Sequence, residues 1–223
     1  MPPASLIDRL KRHAWRFSPL NLLEKFENRR FDARHGTDTL TDVGLQGLSI
    51  AGENRRHGNR YHPTPPRALK QVLARLGISP ADYSFVDIGS GKGRTLLVAS
   101  TLGFRRVIGV EFAAELHAIA QANIQVWQAR QGTAAIEAVH ADATAYALPE
   151  GNLVLYFFQP FDAVVLRQVL ARVRQAAEAQ PRARLLVVFL YLHDQGAAFD
   201  DVGGFVPLFS WRRFDVFECQ PAP

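Results

Sequence analysis

From residue 64 onward the chain alternates short unbroken apolar runs with longer stretches in which apolar residues recur every three or four positions. The runs predict strands over 85–88, 107–110, 136–139, 153–158 and 184–191, and the spaced stretches predict helices over 94–102, 114–131 and 163–180. One more helix is expected from 64. Thr64 stands as its cap, Pro65 and Pro66 fill the first turn, and Ala68, Leu69, Val72, Leu73 and Leu76 form an apolar face that Gly77 ends. Strands alternating with helices imply a parallel sheet with right-handed crossovers. The runs at 205–209 and 213–219 break the rhythm, because almost nothing separates them. They are expected to pair as an antiparallel hairpin on the sheet edge.

Upstream the pattern changes. Leu6, Ile7, Leu10, Ala14 and Phe17, then Leu20, Leu22, Leu23 and Phe26, recur at helical spacing around a break at Ser18-Pro19, so 5–30 reads as one or two amphipathic helices. Residues 31–66 are rich in Gly, Asn, Asp, Thr and Pro, with apolar islands at Leu45 and from Leu48 to Ile50. Structureless connectors beyond roughly 12–15 residues are usually functional or disordered, and this one is expected to lie across a site. The positive charge gathers here too: 13 Lys/Arg face 7 Asp/Glu within residues 1–70, against 13 and 14 in the remainder. Such a segment could contact nucleic acid or an acidic partner; the plainer reading is a solvated helical face.

Apolar residues make up 48% of the chain, enough for a packed core. No apolar run nears the ~20 residues needed to span a bilayer, and the first residues lack an apolar signal core, so no membrane span is expected and the chain reads as cytoplasmic. Cys219, the only cysteine, has no partner for a disulfide or a zinc site. The seven histidines show no metal-ligand spacing, and no metal is expected; His117 and His140 read as helix-surface and strand-end residues. Trp15, Trp127 and Trp211, each among apolar neighbours, read as core or interface.

The densest chemistry lies in Val-Asp-Ile-Gly-Ser-Gly-Lys-Gly-Arg, 86–94, where a strand ends in an acid and breaks into alternating glycines before a helix. Backbone N–H groups and the helix dipole meet a ligand at such a place. A phosphate-gripping P-loop needs glycine where Val86 stands and Ser or Thr where Gly93 stands; the dinucleotide pattern needs glycine at Arg94. Both fail. Asp87, two residues ahead of Gly89, would disfavour a pyrophosphate and attract an ammonium, which S-adenosylmethionine (SAM) carries in place of phosphate. Glu111 closes the second strand, where a carboxylate can accept both ribose hydroxyls. Asp142 follows the third strand and can accept from the adenine amino group, with the Ala143 N–H open to a ring nitrogen. Three acids thus stand at the carboxyl ends of successive strands, the edge where such sheets bind ligands. Lys92 and Arg94 are expected to face solvent.

With these residues the chain resembles the class I SAM-dependent methyltransferases over roughly 60–219. The resemblance implies SAM as cofactor and a doubly wound, mostly parallel seven-stranded α/β sheet with a C-terminal antiparallel hairpin. An N-terminal helical or lid extension, 1–63, would precede the Rossmann-like SAM-binding domain, 64–223. It also implies cofactor contacts from Asp87, Gly89, Ser90, Gly91, Gly93, Glu111, Phe112, Asp142 and Ala143. Phe158-Gln159-Pro160-Phe161 resembles the Asn-Pro-Phe or Asn/Asp-Pro-Pro-Phe/Tyr turn of methyltransferases acting on amino nitrogens. That likeness implies catalytic roles for Gln159, Pro160 and Phe161, with Gln159 one methylene longer than the usual asparagine. Tyr61 and Thr64 resemble the Tyr-x-x-Thr of non-SET histone lysine methyltransferases and the layout of c-subunit-type lysine methyltransferases, which implies that they cover SAM near its methionine end. His193, after the fifth strand, is a further candidate proton acceptor. The expected reaction is methylation of an amino nitrogen, on a protein lysine or on a small-molecule amine. Nucleic acid ranks behind these, since no separate base-recognition domain is evident, and a SAM-binding protein without catalysis is the alternative of another class.

Overall fold

The computed structural model describes residues 19–44, 48, 56–131, 135–192 and 195–221. Seven strands form one sheet in the order β3-β2-β1-β4-β5-β7-β6. They are β1 (Tyr83–Ile88), β2 (Arg106–Glu111), β3 (Ile136–His140), β4 (Asn152–Phe157), β5 (Leu185–Leu190), β6 (Phe205–Trp211) and β7 (Phe214–Cys219). The first five are mutually parallel, and β7 lies antiparallel between β5 and β6. All six residues of β1 and of β5 are buried, as befits strands covered on both faces.

Alternation along each strand divides the core in two. Phe85, Tyr156 and Val188 face one layer with α2 (Pro66–Ala74), α3 (Arg94–Ala99) and the Ile124–Trp127 part of α4 (Ala114–Gln131). Val86, Leu155 and Val187 face the other, with α5 (Ala163–Ala179) and α6 (Ala197–Val202). The helix preceding all of these, α1 (Pro19–His35), joins the first layer through Phe31, whose ring stacks on Trp127 at 5.8 Å.

The hairpin is as expected, and, as the family resemblance implies, its last strand is inserted antiparallel: β7 pairs with β5 and leaves β6 at the edge. That edge carries Pro207 and a register shift between Pro207 and Phe209, features that discourage pairing with a further strand.

Four local expectations are corrected. Residues 31–35 belong to α1, because Phe31 is buried and continues the helix onto Trp127. Pro65, not Thr64, occupies the cap position of α2, and no side chain caps it; the Thr64 hydroxyl pairs instead with the Tyr156 hydroxyl at 2.9 Å. The third helix stops at Ala99, where Ser100 and Thr101 bond back to the carbonyls of Leu97 and Val98 and Gly103 turns with φ +82°. Helix α6 was not foreseen; at six residues it is too short to show a period, and Phe199 anchors it against Phe189, Phe205 and Phe217. Residues 5–18 with Trp15, the islands Leu45 and Ile50, and His193 lie outside the described residues. Among those described, no helix is long and apolar enough to cross a membrane.

Candidate active site

A cleft enclosing about 850 Å³ of empty space, part of it open to solvent, runs along the carboxyl edge of β1, β2 and β4. Asp87 and Glu111 stand in its wall, each 3% exposed. Asp87 accepts from the Thr95 hydroxyl. Burial, which the nearby Glu111 charge reinforces and the Thr95 bond opposes, pushes its carboxyl up to about 7. Glu111 accepts from the Gly91 and Ala113 amides, both at 2.8 Å. Burial raises its pKa as well, against the pull of backbone N–H groups from Ala113, Gly91 and Phe112. Two buried carboxylates facing one cavity suit a cation and hydroxyl donors.

The glycine loop is shaped by what presses on it. Gly89 has φ +81°, and a Cβ there would meet the Pro160 Cβ at 2.4 Å; Gly91 has φ +54°, and a Cβ there would lie 2.1 Å from the Tyr61 ring. Both positions therefore need glycine for conformation and for space. Ser90, Phe112 and Ala143 also line the cleft, whereas Gly93 packs behind it, where a Cβ would lie 3.2 Å from that of Ala120. Asp142 lines the cleft after β3 and folds its own turn, accepting from the Thr144 amide at 2.8 Å and hydroxyl at 2.7 Å. Phe112, Leu116, Ala141 and Ala143 line this end of the cleft with apolar groups.

At the other end stand Tyr61, Thr64, Pro160 and Phe161. Gln159 does not line this cleft. Its backbone is left-handed, φ 42°, its carbonyl accepts from Asn59 Nδ2 at 2.9 Å, and the residue borders a neighbouring cavity. The Pro160 carbonyl accepts from the Asn59 amide at 2.9 Å, so both carbonyls of this turn already hold N–H donors.

The expectation that Lys92 and Arg94 face solvent fails: they are 3% and 1% exposed. Lys92 Nζ donates to Asp38 at 2.9 Å. Arg94 donates from Nε to the Thr39 hydroxyl at 2.6 Å, from Nη1 to Asn28, and from Nη2 to Asp32 at 3.5 Å. Asn123 of α4 joins the group, bonding both the amide and the carbonyl of Asp38 and the Lys92 carbonyl. Residues 36–44 are thereby strapped across the glycine loop, and Tyr61 is tied to the strap by its hydroxyl on the Thr39 carbonyl at 2.7 Å. None of Asn28, Asp32, Asp38, Thr39 and Asn123 stood out in the sequence. One signal was legible: Thr-Leu-Leu-Val-Ala after Arg94 leaves that helix no polar face on which an arginine could be solvated.

Among the described residues no cluster of three or more His, Cys, Asp or Glu could hold a metal ion. His140 lies at the end of β3 and donates to the Phe112 carbonyl at 3.0 Å; Trp127 is buried and donates to Ser100 at 3.1 Å. Cys219 is buried at the end of β7.

Comparison with known proteins bears on the same region. A methyltransferase-domain family model matches residues 57–199, more than half of the chain. No curated protein matches it. Among solved structures, a SAM-dependent methyltransferase from Aquifex aeolicus superposes with a TM-score of 0.52 at 14% identity, over 68% of this chain and 89% of that one. A predicted N6-adenine-specific DNA methylase from Listeria monocytogenes gives 0.54 at 12% identity, over 72% and 52%. A mutant of MtNAS in complex with SAM gives 0.52 at 19% identity, over 71% and 62%. The chain thus spans most of the first of these proteins and less than two thirds of the other two, and at such identities the likeness is one of fold. The family model, laid over a sheet of this order and hairpin, makes the chain a member of the class I SAM-dependent methyltransferases.

Proposed function

We propose that this methyltransferase transfers the methyl group of SAM to an amino nitrogen held at the turn 158–161. When bound, SAM supplies a methyl already activated by its sulfonium, so the protein's task is to hold and align the acceptor. Asp87 would receive the cofactor's ammonium, Glu111 its ribose hydroxyls, and Asp142 with the Ala143 amide its adenine. Tyr61 and Thr64 would close over the methionine end. The observation that carries the amine reading is that the carbonyl of Pro160, which lines the reacting end of the cleft, and that of Gln159 beside it both accept N–H bonds, from Asn59. Each carbonyl keeps a second lone pair for an acceptor amine. Residues 31–66 would serve as the lid, and a lid that restricts water favours the neutral amine, because burial lowers an amine's pKa.

The acceptor is a protein lysine or a small amine, and label from methyl-tritiated SAM decides between them. A cell extract is incubated with the enzyme and separated into protein, nucleic acid and small molecules. Acid-stable N-methyl label in the protein or small-molecule fraction is expected; label confined to nucleic acid, or to ester and ether oxygen, would sink the proposal.

Asp87 should also make cofactor binding depend on pH. With its carboxyl at about 7 in the free protein, it is protonated below that pH and must ionise to meet the ammonium. S-adenosylhomocysteine affinity should therefore fall as pH drops below about 7, approaching tenfold per unit, with release of one proton on binding. Free-protein stability runs in the same pH sense as protonation: between the unfolded carboxyl's value near ~4 and about 7 the folded state holds the extra proton, so stability declines as pH rises through that window. Titration calorimetry in buffers of different ionisation enthalpy measures the proton. Asp87→Asn should flatten the profile; a profile that keeps its slope in Asp87→Asn would assign it elsewhere.

A further inference from the structure

The turn that follows β4 is braced from outside by residues 57–59. Gly58 and Phe161 form an antiparallel bridge. On one side of it the Asp162 amide donates to the His57 carbonyl at 2.8 Å, and on the other the Asn59 amide donates to the Pro160 carbonyl at 2.9 Å. Side chains fasten both ends of this short ladder. His57 Nε2 accepts from Arg56 Nε at 3.2 Å, so the ring proton sits on Nδ1, which donates to Asp162 Oδ2 at 2.7 Å. Asn59 Nδ2 donates to the Gln159 carbonyl at 2.9 Å. A carbonyl accepts from nitrogen and not from oxygen, so that bond fixes which way round the Asn59 carboxamide stands.

One acceptor is left over. No described residue donates to Asn59 Oδ1. Asn59 lines the cofactor cleft, as Pro160 does, and Gln159 does not. Asn59 is also exposed, so its oxygen is open to an arriving molecule without any other group having to move. A side-chain oxygen and a main-chain carbonyl thus belong to one hydrogen-bonded frame at the reacting end. Both are neutral, and this matters for an amine. A carboxylate in either place would favour the ammonium form, which has no lone pair to give, whereas neutral oxygens can hold N–H groups without that bias.

We propose that Asn59 is a catalytic residue whose Oδ1, together with the Pro160 carbonyl, accepts the two N–H groups of a primary amine, and that this pair favours the transfer of a single methyl. The inference rests on the amine-methylating reading above. A neutral primary amine has two N–H groups and one lone pair; when both N–H groups are engaged, the lone pair is left on the side away from the two oxygens, free to meet the methyl. The acceptor reaches that state by giving one proton of its ammonium form to solvent. Its lone pair then forms the N–C bond as the S–C pair returns to sulfur, and the product leaves as methylammonium. Neutral again, that product keeps one N–H and can satisfy only one of the two oxygens. The missing bond should slow a second transfer about tenfold.

The test uses the full chain, SAM and the fraction of an extract, from cells without this enzyme, that takes N-methyl label. Acid hydrolysis and mass spectrometry resolve singly from doubly methylated amine over time. The parent should make the first product about tenfold faster than the second. Asn59→Ala should lower the first rate about tenfold and the second less than threefold, so that the preference collapses, while S-adenosylhomocysteine affinity measured by calorimetry stays within about twofold of the parent. Asn59→Asp loses the bond to Gln159 but keeps an oxygen in place of Oδ1, and should retain most of the preference whatever its absolute rate. A residue that only braced the turn would slow both transfers alike when removed, and aspartate would then serve no better than alanine. Either of those results, or a parent with no preference for the first transfer, would overturn the proposal while amine methylation stands. A parent that binds S-adenosylhomocysteine yet places no label on nitrogen would instead bring down the reading beneath it.

Discussion

Arg94→Ala should unfold at much lower urea than the parent, with a loss of roughly 3–5 kcal/mol, the range seen when one member of a buried ion pair is removed. Arg94 is almost wholly buried, and its side chain bonds Thr39, Asn28 and Asp32 and lies 4.9 Å over the Phe31 ring. Asp32, 16% exposed, would keep its bonds from Thr37, Thr39 and Leu40 but lose its cation. Burial raises the Asp32 carboxyl, yet hydrogen bonds from Thr39 and Thr37 and the charge of Arg94 hold it below the ordinary carboxylate value. The loss should therefore be full above ~4, where the unfolded carboxyl is also ionised, and should shrink as pH falls below that. Lysine at 94 keeps the charge without the planar fork and should recover only part of the stability. An unfolding free energy within ~0.5 kcal/mol of the parent would mean that α1 and the strap are fastened by something else.

Glu111→Ala should weaken S-adenosylhomocysteine binding by at least ~100-fold. Two ribose hydroxyls donating to an ionised carboxylate contribute roughly 1.5–3 kcal/mol each, and each 1.4 kcal/mol is a factor of ten in affinity. The same carboxylate receives the Gly91 and Ala113 amides, so its removal also loosens the loop on which the cofactor rests. Glu111→Gln keeps the shape and one acceptor oxygen, and should fall between. Calorimetry on variants with parent-like circular dichroism reads the effect, and unchanged affinity in a folded Glu111→Ala protein would remove the ribose assignment.

The framework of the sheet was legible because its central strands are apolar on both faces and so appear as unbroken runs, and because Asp87 and Glu111 interrupt those runs where they reach the ligand edge. The strap was not legible. Arg94 meets Thr39 and Asp32 across 55 and 62 positions, and its partners lie partly in a stretch with no period to mark them. Thr64 had a local role open to it as a helix cap and took a distant one on Tyr156, where two buried hydroxyls satisfy each other. Gln159 was placed by motif, but its backbone turns left-handed and the residue borders the neighbouring cavity instead of the cleft.

The insertion of β7 between β5 and β6 has a consequence for how the chain is made. Vectorial synthesis delivers β5, with its wholly buried Leu-Leu-Val-Val-Phe-Leu, before the strand that covers its free side. In that interval a nascent chain displays an apolar, hydrogen-bond-hungry border to its crowded surroundings, the kind of border from which intermolecular pairing starts. Nor can β6 close it, since β6 emerges earlier than β7 and reaches the sheet only through it. The yield of native protein from the ribosome should thus depend on the promptness with which 214–219 slides into place.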